Sequence, residues 1–237
     1  MKPVYYILFF IYTFSFASQK DKYMVFFKDE IVDASTFLIK SNKVFNHSCK
    51  KYKHSKELVT AIIYPELLRY NYLKDFFETS SLELIYVNYG SKAADFSIGH
   101  FQMKPSFAEK IENYILKHKQ SLNAYKSLNM NKSFEKKEQR KIRVQRLKNL
   151  YWQLLYLQAF IDVCIHKYPC LKKESRKNKL RFLASSYNIG INYSFNEIKR
   201  RSSFNFFPFG SSYNGNQFCY ADISYAYYIS KTKKKSL

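Results

Sequence analysis

The stretch Ala61-Ile62-Ile63-Tyr64-Pro65-Glu66-Leu67-Leu68-Arg69-Tyr70 sets a single carboxylate in apolar surroundings. Between Glu57 and Arg69, Glu66 is the only charged side chain. On helical spacing Val59, Ile62, Ile63, Glu66, Leu67 and Tyr70 share one face, so the acid points where a core should be. An ionised carboxylate in such a place is costly. It either finds a cation, Arg69 being the nearest, or its pKa rises until it holds a proton near neutrality. The second outcome describes a general acid. Pro65 removes a backbone donor at a cost of roughly 3 kcal/mol, so a break in the helix is expected just before the acid.

Two other stretches mix apolar bulk with isolated polar groups. Ala94-Asp95-Phe96-Ser97-Ile98-Gly99-His100-Phe101-Gln102-Met103-Lys104-Pro105-Ser106 is neither periodic nor loop-like. A buried Gln102 must be hydrogen-bonded, and Gly99 permits close approach of backbone or ligand. Further on, Leu180-Arg181-Phe182-Leu183-Ala184-Ser185-Ser186-Tyr187-Asn188-Ile189-Gly190 reads as a buried helix that ends by offering Tyr187 and Asn188 to a neighbouring groove.

Taken in order, Glu66, the block Gly99 to Pro105, and the block Ala184 to Gly190 resemble the lysozyme-like lytic transglycosylases, in the superfamily of soluble lytic transglycosylases and goose-type lysozymes. That family places a helical Glu first, then Gly-Leu-Met-Gln followed two residues on by Pro, then Ala-Ala-Tyr-Asn-Ala-Gly. Gly99, Gln102 and Pro105 fall in register with the second block, and Ala184, Tyr187, Asn188 and Gly190 with the third. The likeness spans about residues 55–190. Leu67 stands where the family has Ser after its acid, and His100-Phe101 replaces Leu-Met.

The resemblance implies a mainly α, lysozyme-like helical domain with a cleft, acting on the glycan strands of peptidoglycan. Glu66 would serve as acid and then base at the bond between N-acetylmuramic acid and N-acetylglucosamine, giving a 1,6-anhydro product. Gln102, Tyr187, Asn188, Gly99 and His100 would bind substrate. A hydrolytic route needs a second carboxylate, for which Asp95 is the first candidate and Glu78 the next. A lysozyme-like binding protein without catalysis is the alternative. The resemblance implies neither cofactor nor metal.

The 237 residues suit one sizeable domain, and 19% aromatic residues supply both a core and a groove. With 40 Lys plus Arg against 18 Asp plus Glu, the net charge of +22 attracts polyanions. Met1-Lys2, the apolar run Val4 to Phe16 and the small residues Ser15 and Ala17 read as a signal peptide over residues 1–17. Export to the periplasm or cell envelope turns the charge toward an anionic wall, with no nucleic-acid partner expected. A lead-in, extended or partly helical, is expected over residues 18–54, the catalytic domain over 55–231 with a solvated Lys-rich insertion at about 119–146, and a basic tail over 232–237. Helices are expected from Ser55, over about 74–88, 105–117, 179–190 and 220–231, with the central packing helix running unbroken over 135–166. His47, Cys49 and His54 lie close together without metal-ligand spacing. For Cys49, Cys164, Cys170 and Cys219, a local Cys164–Cys170 bridge and four buried free thiols are both open.

Overall fold

A computed structural model describes residues 22–73, 80–131 and 133–233. The leader, Glu78, the start of the helix expected from residue 74 and residues 234–237 lie outside them. The described chain is mainly α, with one two-stranded sheet.

After a helical turn over residues 22–26, the described part of the lead-in consists mainly of two helices: α1, Lys28–Lys40, and α2, Asn42–Tyr52. Its periodicity is hard to see because each helix buries little, Ala34 and Leu38 from α1, and Phe45, Ser48 and Cys49 from α2. The acid-bearing helix α3, Lys56–Leu73, starts where Ser55 Oγ accepts from the Leu58 amide. Every residue from Val59 to Leu68 is buried, so α3 has no solvent face over that span and the one-sided pattern was a partial view. It also runs through Pro65 without the expected break. The Tyr220 hydroxyl donates to the Ile62 carbonyl at 3.0 Å, beside the Ala61 carbonyl that Pro65 deprives of its helical donor.

Helix α4 covers Ser80–Tyr89, and α5, Pro105–Lys117, begins with proline at its first turn. The Lys-rich region is anchored rather than loosely solvated. Its 3₁₀ turn Asn123–Leu128 buries Tyr125 and Leu128, and the Tyr125 hydroxyl donates to Asp162 Oδ2 at 2.5 Å. Helix α6, Lys136–Lys148, buries Arg143, Val144 and Leu147.

The expected long helix is two. Asn149 takes an extended conformation (φ −101°, ψ 126°), and its side chain accepts from the Tyr151 and Trp152 amides to start α7, Leu150–Lys167. Helices α8, Arg176–Ile189, and α9, Phe195–Arg201, start at Ser175 and Ser194, whose hydroxyls cap them. The aromatic loop contains β1, Asn205–Phe207, antiparallel to β2, Phe218–Cys219, and α10, Tyr220–Lys233, closes the described chain.

Packing forms two groups. α3 is surrounded by α1, α8 and α10, while α7 packs on α2, α5 and α6, and α8 touches both central helices. The role of central helix is therefore shared between α3 and α7. All four cysteines are free thiols, three of them buried and Cys170 exposed. Among the described residues, no helix is long and apolar enough to cross a membrane.

Candidate active site

Glu66 leaves the buried middle of α3 toward a pocket of about 250 Å³ that also takes Asp95, Gln102, Tyr187 and Asn188 in its wall. Five of the eight residues named from sequence thus meet in one place, although they come from three well-separated stretches of chain. The Glu66 side chain is only 3% exposed, and Arg69 Nη2 lies 2.6 Å from its Oε2. Burial pushes its pKa up; the opposing pulls of Arg69, the Tyr220 hydroxyl and the Lys104 charge leave the net direction upward. Both outcomes read from the sequence are present together: the acid is desolvated, and Arg69 is its partner.

The wall opposite is a tight turn, closed where Ile98 and Met103 exchange backbone hydrogen bonds at 3.0 and 3.1 Å. Two side chains pin its tip. Gln153 Oε1, from α7, accepts from the Phe101 amide at 2.9 Å, and the Tyr187 hydroxyl, from α8, donates to the Phe101 carbonyl at 2.8 Å. Gln102 adopts a left-handed conformation (φ 50°), uncommon for a residue with a side chain. Its Nε2 donates to the Gly99 carbonyl, while its buried Oε1, in the pocket wall, has no hydrogen-bond partner. A buried acceptor without a partner is uncommon, and here it belongs to a residue of the pocket wall.

Gly99 and His100 are not among the lining residues. Gly99 has φ +68°, and a Cβ there would stand 2.2 Å from Gln153 Nε2 and 2.8 Å from the Leu147 carbonyl oxygen, so its role is to let the turn sit on α7. The His100 ring stacks on Phe37 at 4.2 Å and meets Tyr70 at a tilt at 4.5 Å, and burial holds its pKa below the ordinary value. Its work is packing.

Asp95 lines the pocket, but both oxygens are occupied. Oδ1 accepts from the Ser106 amide at 2.9 Å and Oδ2 from the Ser106 hydroxyl at 2.7 Å, at the first turn of α5. With both oxygens engaged there, Asp95 ties the 94–106 segment to the start of α5 and presents no free oxygen to the pocket. Tyr187 is buried against Phe107 and Phe160, its pKa driven well above the ordinary value by burial and then by the Glu66 charge. Asn188 is exposed at the end of α8, and Lys104 and Lys110 complete the charged lining.

Sequence reasoning missed Gln153, Tyr220 and these two lysines. Gln153 carries a legible signal, a neutral amide inside the apolar run of α7 that must be hydrogen-bonded somewhere. Tyr220 carries none. Among the described residues, no cluster of three or more His, Cys, Asp or Glu side chains is arranged to hold a metal, and His54 instead pairs with Asp162 at 3.1 Å. Comparison with known proteins finds no matching family model, no curated relative and no similar solved structure.

Proposed function

We propose that the chain is an exported, lysozyme-like enzyme that cleaves the glycan strands of peptidoglycan between N-acetylmuramic acid and N-acetylglucosamine, with Glu66 as acid and base. The observation that carries this is the convergence on one pocket of Glu66, Gln102, Tyr187 and Asn188, which the resemblance assigns to the acid and to the cleft around it. Burial favours the protonated carboxyl needed at the start. Glu66 gives its proton to the glycosidic oxygen as the bond from C1 breaks, and the N-acetylglucosamine leaves with a free hydroxyl. The resulting carboxylate then takes the proton of the muramic acid 6-hydroxyl as O6 bonds to C1, closing the 1,6-anhydro ring without water. Arg69, at 2.6 Å, stabilises the anion between the two transfers. The engagement of both Asp95 oxygens favours this one-carboxylate route over hydrolysis with two. In this reading Gln102 and Asn188 orient the sugars, and the basic surface holds the protein on an anionic wall.

A second reading, a peptidoglycan-binding protein without catalysis, is favoured by one contact: the Arg69 guanidinium, 2.6 Å from Glu66 Oε2, opposes the protonated form that donation requires. Mass spectrometry of purified sacculi treated with the protein and with Glu66→Gln separates the two. Anhydro-muropeptides from the unmodified protein alone establish the transglycosylase; reducing ends point to hydrolysis; intact strands retained by both proteins establish the binder.

A further inference from the structure

The charges of the pocket do not cancel. Arg69, Lys104 and Lys110 face Glu66 and Asp95, and both acids are already engaged, one by Arg69 and the other by the first turn of α5. Among the described residues neither Lys104 nor Lys110 forms an ion pair, although eight pairs are made outside the pocket. Lys104 is exposed beside the pinned turn and Lys110 is half-buried in the wall; they stand roughly 9 Å apart along the axis of α5. A neutral sugar polymer has no need of two uncompensated ammonium groups along its path.

Resting on the peptidoglycan reading above, we propose that the pocket selects strands whose muramic acid carries a free carboxylate on its C3 substituent, received by Lys104 and Lys110. That carboxylate sits on the sugar whose C1 bond is cut, so the cations that recognise it must lie beside the catalytic acid. Lys104 does, its charge being felt by Glu66. Two sources share this chemistry: the lactyl carboxylate bared when the stem peptide is removed, and the carboxylates of a retained stem. A preference for the bare strand would place an amide-cleaving reaction at the lactyl group ahead of this one.

The test is a binding measurement, so that it does not depend on turnover. Glu66→Gln protein is titrated calorimetrically with peptide-free strands, with the same strands after conversion of the lactyl carboxylates to amides, and with strands bearing stems. The carboxylate strands of one source or the other should bind roughly ten-fold more tightly than the amides. Adding Lys104→Gln and Lys110→Gln should remove the difference; adding Lys104→Arg and Lys110→Arg should keep it, which separates charge recognition from misfolding. Equal affinity for acid and amide, no binding of either, or a preference that survives the double Gln change overturns the inference. Cleavage is scored separately on the unmodified protein. Glu66-dependent cleavage without the preference sinks only this inference, and the preference without cleavage sinks only the catalytic reading.

Discussion

At the scale of single residues, Glu66 is held by two opposed forces. Burial without solvent favours the neutral acid, and Arg69 favours the anion. Because the pKa in the folded state lies above that of the unfolded chain, the folded state binds the extra proton. The stability from Glu66 is then fully present below the ordinary glutamate range and lost as the pH rises through the raised value. Glu66→Gln, uncharged throughout, should therefore melt at a higher temperature than the unmodified protein at neutral pH, with the gap widening toward alkaline pH. Thermal melts from pH 4 to pH 9 check the sign; a gap that reverses would mean the Arg69 pair dominates. Gly99 is held by geometry alone. Ala in its place meets Gln153 and the Leu147 carbonyl at a positive φ, and should cost about 2 kcal/mol or more in urea unfolding. The acid was legible because a lone charge in an apolar run is conspicuous. The functions of Gly99 and His100 were not, since their neighbours Gln153 and Phe37 lie far along the chain.

Among the elements, the basic helix α6 teaches the most. Its composition suggests a solvated face, yet Arg143 points inward. Its Nη2 lies 2.5 Å from Glu112 Oε2, and its Nη1 donates to the Tyr86 hydroxyl at 2.6 Å. The Tyr156 hydroxyl, from α7, donates to Glu112 as well, so one buried network ties α4, α5, α6 and α7 together. Arg143→Ala leaves Glu112 buried without its cation and should cost about 3–5 kcal/mol, whereas Arg143→Met with Glu112→Leu should recover much of the loss. Urea denaturation of both variants decides; a loss from the single change no greater than that of the pair would show the network to be dispensable. Nothing in the local sequence distinguishes Arg143 from Arg140 or Arg146, because the selection is made by a partner helix. The interruption at Asn149 was legible, since asparagine before an apolar run is a strong helix start, but the continuous apolar spacing on its far side masked it.

For the molecule as a whole, the mainly α class follows from periodicities spread over many residues, and these survive local misreading. The convergence of α3, the turn over 98–103 and the end of α8 is different. Each stretch carries its polar residues openly, but their meeting depends on α8 packing against both central helices, which no local pattern encodes. The same enclosure governs the thiols. Cys164 and Cys219 are buried with pKa values pushed up to about 12 and about 11, Cys49 is buried and raised as well, and Cys170 alone is exposed beside Pro169. A thiol reacts as its anion and only when reached. One equivalent of maleimide should therefore couple rapidly to the native protein at Cys170, and Cys170→Ser should abolish that fast phase, both read by intact mass. A fluorophore placed there needs no engineered cysteine, and the slow appearance of further adducts would time the opening of the helices over the other three, a clock for unfolding carried within the native chain.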